Sequence, residues 1–168
     1  AFSNNDRPGV MTANAGCIYL KRFGVLVGEQ VTMATTNDSA YQVAADLNKA
    51  GASVTLLDAR PQISSELTDI IQSSGIELHL SAAPFDVIGR SATRGLTIAK
   101  SDGSHWKKAF EKKCDSILVS GGWSPVIHLL SHRGVKPIWH PADACFLPGA
   151  TDESIVVAGA AAGVWASA

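Results

Sequence analysis

Cysteine is scarce in this sequence. The three that occur, Cys17, Cys114 and Cys145, are far apart and show no C-x-x-C spacing, which excludes a disulfide framework and a dithiol redox pair and fits a reducing cytoplasm. An excess of one charge is also missing. Fourteen lysines and arginines face fifteen aspartates and glutamates, so neither nucleic acid nor an anionic membrane surface is signalled as a partner. No apolar run approaches the roughly eighteen residues of a membrane span, and the opening AFSNNDRPGV is too polar for a secretory signal. Internal repeats, linkers and low-complexity stretches are absent as well. What remains is a chain of 168 residues, 46% hydrophobic and with 15 glycines, enough for a compact core.

The hydrophobic pattern alternates between strand and helix. Gln30 to Thr36 reads as a strand, and Asp38 to Ala50 as a helix whose inward stripe is Ala40, Val43, Ala44 and Leu47, stopped by Gly51. Ser53 to Leu57 is the next strand, which makes a βαβ unit with parallel pairing and a right-handed crossover. A helix over Ser65 to Ser74, with Leu67, Ile70 and Ile71 inward, is closed by Gly75 before a strand from Ile76 to Leu80. Three short stretches follow without helices between them, Asp86 to Arg90, Gly95 to Lys100 and Ala109 to Cys114, and these predict a small antiparallel meander. Asp115 to Ser120 is a buried strand running into Gly121-Gly122, after which Ser124 and Pro125 are placed as N-cap and first residue of a short helix to about His132. Ser154 to Ala158 is predicted as a last strand, and Thr12 to Phe23 as an early helix stopped by Gly24.

Chemistry in such an α/β chain gathers at the carboxyl ends of the strands. The turn Thr35-Thr36-Asn37-Asp38-Ser39 precedes the first βαβ helix, where free N–H groups and the positive end of the dipole suit a pyrophosphate. It lacks the G-x-G-x-x-G fingerprint, and the carboxylate of Asp38 would repel a phosphate, so plain helix capping by Asn37 or Asp38 stands beside nucleotide binding. Asp58 ends the second strand about twenty residues on, the spacing of a ribose-binding carboxylate. Arg60 is placed to stack on adenine or pair with a 2′-phosphate, which leaves NAD preferred over NADP without excluding the latter. Gly121 and Gly122 would allow close approach to a dinucleotide and Trp123 a stacking face, the alternative being a tight turn with Trp123 in the core. His128 and His132 share a helix face but have no third ligand, so no metal site is expected. No nucleophile, base and orienting acid stand together, and no catalytic centre is expected in this chain.

Several segments carry a resemblance. Asp6-Arg7-Pro8-Gly9-Val10-Met11, Tyr19-Leu20, Phe23-Gly24-Val25, the turn Thr35-Thr36-Asn37-Asp38-Ser39-Ala40-Tyr41, Asp58-Ala59-Arg60-Pro61, and Ser120-Gly121-Gly122-Trp123-Ser124-Pro125 with His128-Leu129 together resemble the α subunit of the heterotetrameric sarcosine oxidase family. The strand with Gly121-Gly122 through Pro125 is also similar to the A-T-G-x-x-P segment of two-dinucleotide-domain flavoprotein reductases, where it joins the NAD domain back to the FAD domain. The resemblance implies a Rossmann-like parallel sheet with a small antiparallel β-meander. Residues 1–28 would be the incoming crossing and helix from an outer FAD-type domain, 29–122 the NAD-binding domain, and 123–168 the return segment. The chain is then expected to be the middle piece of a longer polypeptide.

What the resemblance further implies is oxidative demethylation of sarcosine by an assembly with β, γ and δ subunits, in which FAD and FMN sit outside this piece and NAD sits within it. Thr35, Thr36, Asn37, Asp38 and Ser39 would then lie at the pyrophosphate, Asp58 at the ribose, Arg60 near adenine, and Gly121, Gly122 and Trp123 at the far end. The competing expectations are a piece of a different NADH-dependent flavoprotein reductase, or a domain whose pocket has degenerated and which serves assembly.

Overall fold

Short β-branched runs separated by amphipathic helices give a parallel sheet, because each strand needs a crossover to return beside the last. The computed structural model describes residues 2–141, 145–151 and 154–165 and divides the chain into two units, Ala1–Gly121 and Gly122–Ala168. The first runs β1 (Val10–Thr12), α1 (Ala13–Phe23), β2 (Gln30–Thr35), α2 (Ser39–Lys49), β3 (Ser53–Asp58), α3 (Ser65–Ser74), β4 (Glu77–Leu80), β5 (Ala82–Ile88), β6 (Gly95–Ser101), β7 (Trp106–Lys113) and β8 (Ser116–Ser120). Five strands form one sheet in the order β1-β8-β2-β3-β4, every pair parallel. Strands β5, β6 and β7 form the expected antiparallel meander, β5 and β7 starting four and three residues earlier than the sequence expectation and β6 ending one residue later.

The central strands are covered on both faces, which is why they read as nearly continuous apolar runs. Met33, Leu56 and Leu118 point to the helices and meet Tyr41, Ala44 and Leu47 of α2 and Leu67 and Ile71 of α3. Their alternates Ala34, Leu57 and Ile117 point to the meander, against Val87, Leu96 and Ile98. Each of the fully buried leucines and isoleucines contributes about 1.5–3 kcal/mol by leaving water, so this sandwich is the main store of stability.

Local chemistry sets the ends of the elements. Thr12 accepts from the Ala15 N–H (3.2 Å) to open α1, Ser64 from the Leu67 N–H (3.4 Å) to open α3, and Gly24 and Gly75 close those helices in the left-handed conformation. Helix α2 ends at Lys49 with Ala50 as its C-cap, and Gly51 follows at φ 109°. Asp115, just before β8, accepts from the backbone N–H groups of Glu29 (3.0 Å) and Gln30 (3.1 Å), which locks the start of β2 into register. Residues 1–28 contribute β1 and α1 to this same unit, β1 pairing Val10, Met11 and Thr12 with Ile117, Leu118 and Val119.

The second unit holds a short helix α4 (His128–His132), a hairpin of β9 (Ile138–His140) and β10 (Cys145–Leu147), and a 3-10 turn at Gly159–Ala162. Two expectations need correction here. The helix begins at His128, so Ser124 and Pro125 lie before it rather than at its start. Among the described residues Ser154 to Ala158 joins no ladder; Val156 is 91% exposed, and the Ile155 carbonyl accepts from the Thr151 hydroxyl (3.0 Å) in place of a neighbouring strand. Among the described residues no helix is long and apolar enough to cross a membrane.

Candidate functional site

The strand order reverses between β2 and β8, and the register aligns Thr35 of β2 with Asp58 of β3 on one side and Ser120 of β8 on the other. In open α/β sheets the crevice at such a reversal is where ligands bind. The segments singled out in the sequence, Thr35 to Ser39, Asp58 to Arg60 and Ser120-Gly121, meet there.

The turn after β2 is drawn tight against β8. The Thr36 N–H donates to the Ser120 carbonyl (3.2 Å), and the Asn37 amide donates to the Ser120 carbonyl (3.1 Å) and hydroxyl (3.2 Å). Thr35 Oγ1 donates to the Asn37 carbonyl (2.8 Å) and accepts from the Asn37 N–H (3.1 Å). Asn37 Oδ1 accepts from both the N–H (3.1 Å) and the hydroxyl (2.5 Å) of Ser39. Asn37 therefore performs the capping of α2. Asp38 makes no side-chain cap bond and adopts helical φ and ψ. Its carboxylate, 67% exposed, instead accepts from Arg60 Nη1 at 2.6 Å.

Asp58 lies deeper than its spacing suggests. Its side chain is 0% exposed, and its oxygens accept from the Tyr41 hydroxyl (2.7 Å), the Arg60 N–H (2.9 Å), Arg60 Nε (3.1 and 3.2 Å) and Arg60 Nη2 (2.8 Å). The group this arrangement turns toward solvent is the guanidinium of Arg60, 31% exposed. The bond to Asp58, with the Asp38 bond and both attractions added, holds the guanidinium still further above its already high range, so its charge is permanent. Burial, then the Asp58 hydrogen bond and charge, push the Tyr41 phenol up as well, leaving it a neutral donor. Three charges in a row, Asp38, Arg60 and Asp58, thus carry a formal −1 together, and the repulsion expected from Asp38 is met at close range by a cation.

Gly121 ends the first unit; a Cβ built on it would meet nothing within 4 Å, so the packing of the chain itself does not require glycine there. Beside that open space, the first turn of α2, the hydroxyl of Thr36 and the anchored cation make a donor set that suits an anionic dinucleotide. Gly122 (φ 100°) and Trp123 belong to the second unit; Trp123 is 54% exposed, not a core residue, with the Trp165 ring centroid 6.2 Å away. Among the described residues no three His, Cys, Asp or Glu side chains are grouped to hold a metal ion. Sequence reasoning gave no role to Tyr41 or Ser120. Tyr41 had a signal: it sits three residues before Ala44 on the inward face of α2, and a buried phenol needs an acceptor.

Comparison with known proteins follows the same lines. No family model matches the chain. It is 33% identical over 170 residues to the sarcosine oxidase subunit alpha of Corynebacterium sp. (strain P-1), which covers 99% of this chain and 18% of that protein. It is 34% identical over 163 residues to the sarcosine oxidase subunit alpha of Rhizobium meliloti (strain 1021), covering 96% and 15%. The chain therefore spans less than a fifth of the length of these relatives. In fold it is similar to the ferredoxin reductase for the CYP199A2 system from Rhodopseudomonas palustris, with TM-score 0.61, 18% identity, and 80% of this chain and 34% of that one covered. It is also similar to the water-forming NADH oxidase from Lactobacillus brevis, solved with NADH bound, with TM-score 0.56, 16% identity, and 84% and 31% covered.

Proposed function

We propose, from the kinship of this chain with the alpha subunits of sarcosine oxidase over nearly its whole length, that its first unit is the module that holds NAD in an amine-oxidising flavoenzyme. The observation that carries this reading is the convergence, at the strand-order reversal, of the α2 N-terminus with the Asp58–Arg60–Asp38 chain. The first turn of α2, with Thr36, Asn37 and Ser39, receives the diphosphate; Arg60, braced by Asp58, meets the adenosine end; Gly121 leaves room beside β8. A nicotinamide dinucleotide supplies two-electron hydride chemistry when bound, and the residues here orient and neutralise it. Oxidation of sarcosine, FAD and FMN held elsewhere, and β, γ and δ subunits as partners belong to the same proposal.

Calorimetric titration of NAD into the whole chain is expected to give a saturable heat, weakened about tenfold by Arg60→Gln through loss of a charge-assisted contact. A folded chain that gives no heat would overturn the reading. It would favour a module for assembly, a role that the exposed Ile18, Tyr19 and Phe23 of α1 and the nearby Val25 would suit.

A further inference from the structure

We propose that Asp38 sets which dinucleotide the crevice accepts: by holding the outer arm of Arg60, it favours a ribose with a free 2′-hydroxyl and turns away a 2′-phosphate. This rests on the dinucleotide reading above and extends it to selectivity.

An arginine two residues past a strand-end carboxylate is ambiguous by itself, because its fork suits a phosphate as well as a carboxylate. The hydrogen bonds of Arg60 resolve the ambiguity. Its Nε and Nη2 face the buried Asp58, whose side chain is 0% exposed and cannot turn to solvent. That edge of the guanidinium is committed. The only other edge able to grip a phosphate with two parallel N–H groups is the one formed by Nη1 and Nη2, and Asp38 Oδ1 takes Nη1 at 2.6 Å. To grip Arg60 through both Nη1 and Nη2, an incoming 2′-phosphate must compete with Asp38 for Nη1 and then lie beside that carboxylate. A 2′-hydroxyl carries no charge and meets neither obstacle.

Among the described residues the Asp38 carboxylate is hydrogen-bonded to Arg60 alone. Its side chain accepts no backbone N–H at the start of α2, where Asn37 does so instead, and it is 67% exposed. A carboxylate at the N-cap position is thus explained by what it does to Arg60, and its removal is expected to leave the fold intact.

The experiment titrates NAD and NADP separately into the wild-type chain, Asp38→Asn, Asp38→Ser and the double variant Asp38→Asn with Arg60→Gln, with circular dichroism confirming that each is folded. The wild type should bind NAD more tightly than NADP. Either Asp38 substitution should raise affinity for NADP relative to NAD by about tenfold or more, as expected for a freed charge-assisted fork, and the double variant should lose that gain. Equal changes for both dinucleotides in the Asp38 variants would overturn the proposal, as would a wild type that already prefers NADP. A folded wild type that binds neither would remove the dinucleotide reading and this inference with it, whereas NAD binding without the switch removes the inference alone.

Discussion

Replacing Tyr41 with phenylalanine deletes one oxygen and keeps the ring in place, so it isolates the bond between Tyr41 and Asp58. Tyr41 and Asp58 are both 0% exposed, and the phenol donates to Oδ2 across 2.7 Å. A hydrogen bond to a charged group is worth about 1.5–3 kcal/mol net. Asp58 keeps its bonds from Arg60 N, Nε and Nη2, so the carboxylate is not stranded and the loss is expected near the lower end, about 1.5–2 kcal/mol. For a chain of this length that corresponds to a fall in Tm of about 3–8 °C. Asp58→Ala should cost more, about 3 kcal/mol or above, because it leaves a partly buried guanidinium and a buried phenol without their shared acceptor. Urea unfolding of the two single variants and the double variant gives the coupling between the sites. Most of the Tyr41→Phe loss should vanish in the Asp58→Ala background, with the m-value unchanged. A loss below about 0.5 kcal/mol, or full additivity, would refute the claim that this bond fixes the carboxylate.

Two further outcomes follow from the packing and the ion pairs. A Cβ on Gly28 would sit 2.3 Å from Asp115 Oδ1 and 2.8 Å from Ser116 Cβ, and Asp115 yields only by releasing the Glu29 and Gln30 N–H groups; Gly28→Ala should therefore cost about 1–3 kcal/mol by urea unfolding. Glu77 is held below its ordinary value of 4.5 chiefly by the Lys112 hydrogen bond, working against burial, with His79 assisting. A depressed carboxyl stabilises the fold above its unfolded pKa and loses that contribution as pH falls through the folded one. Glu77→Gln should thus be less stable than wild type at neutral pH, with the two melting curves converging below about pH 4.5; a constant gap down to strong acid would contradict the assignment.

Much of the parallel sheet was legible because its signals are local. The stripe Ala40, Ala44 and Leu47 on α2, and Gly24 and Gly75 closing α1 and α3, each act within a few residues. Strand β1 was not legible: three residues carry no periodicity, and what makes them a strand is pairing with residues more than a hundred positions away. Ser154 to Ala158 failed in the opposite sense, since its composition suits a strand but among the described residues it pairs with none. At the candidate site, spacing located Asp58 at the carboxyl edge but could not give its side-chain direction, which depends on Tyr41 from α2 and Arg60 from the following turn. Likewise the conflict between Asp38 and a phosphate looked unrelieved in one dimension, because Arg60 reaches Asp38 across 22 positions.

The position of β8 between β1 and β2 has a consequence for biosynthesis. Both flanking strands leave the ribosome long before it does: Val31 must wait for Ser116 and Val10 for Ile117. During that interval β2 can pair with β3 and gather α2, but its other flank stays open, with backbone donors and acceptors facing whatever is nearby. The emerging polypeptide thus carries a vacant slot in its sheet until its last strand slides in. Aggregation during translation should therefore depend on how quickly the codons for the meander are read, a stretch that postpones closure while adding nothing to the unfinished ladder.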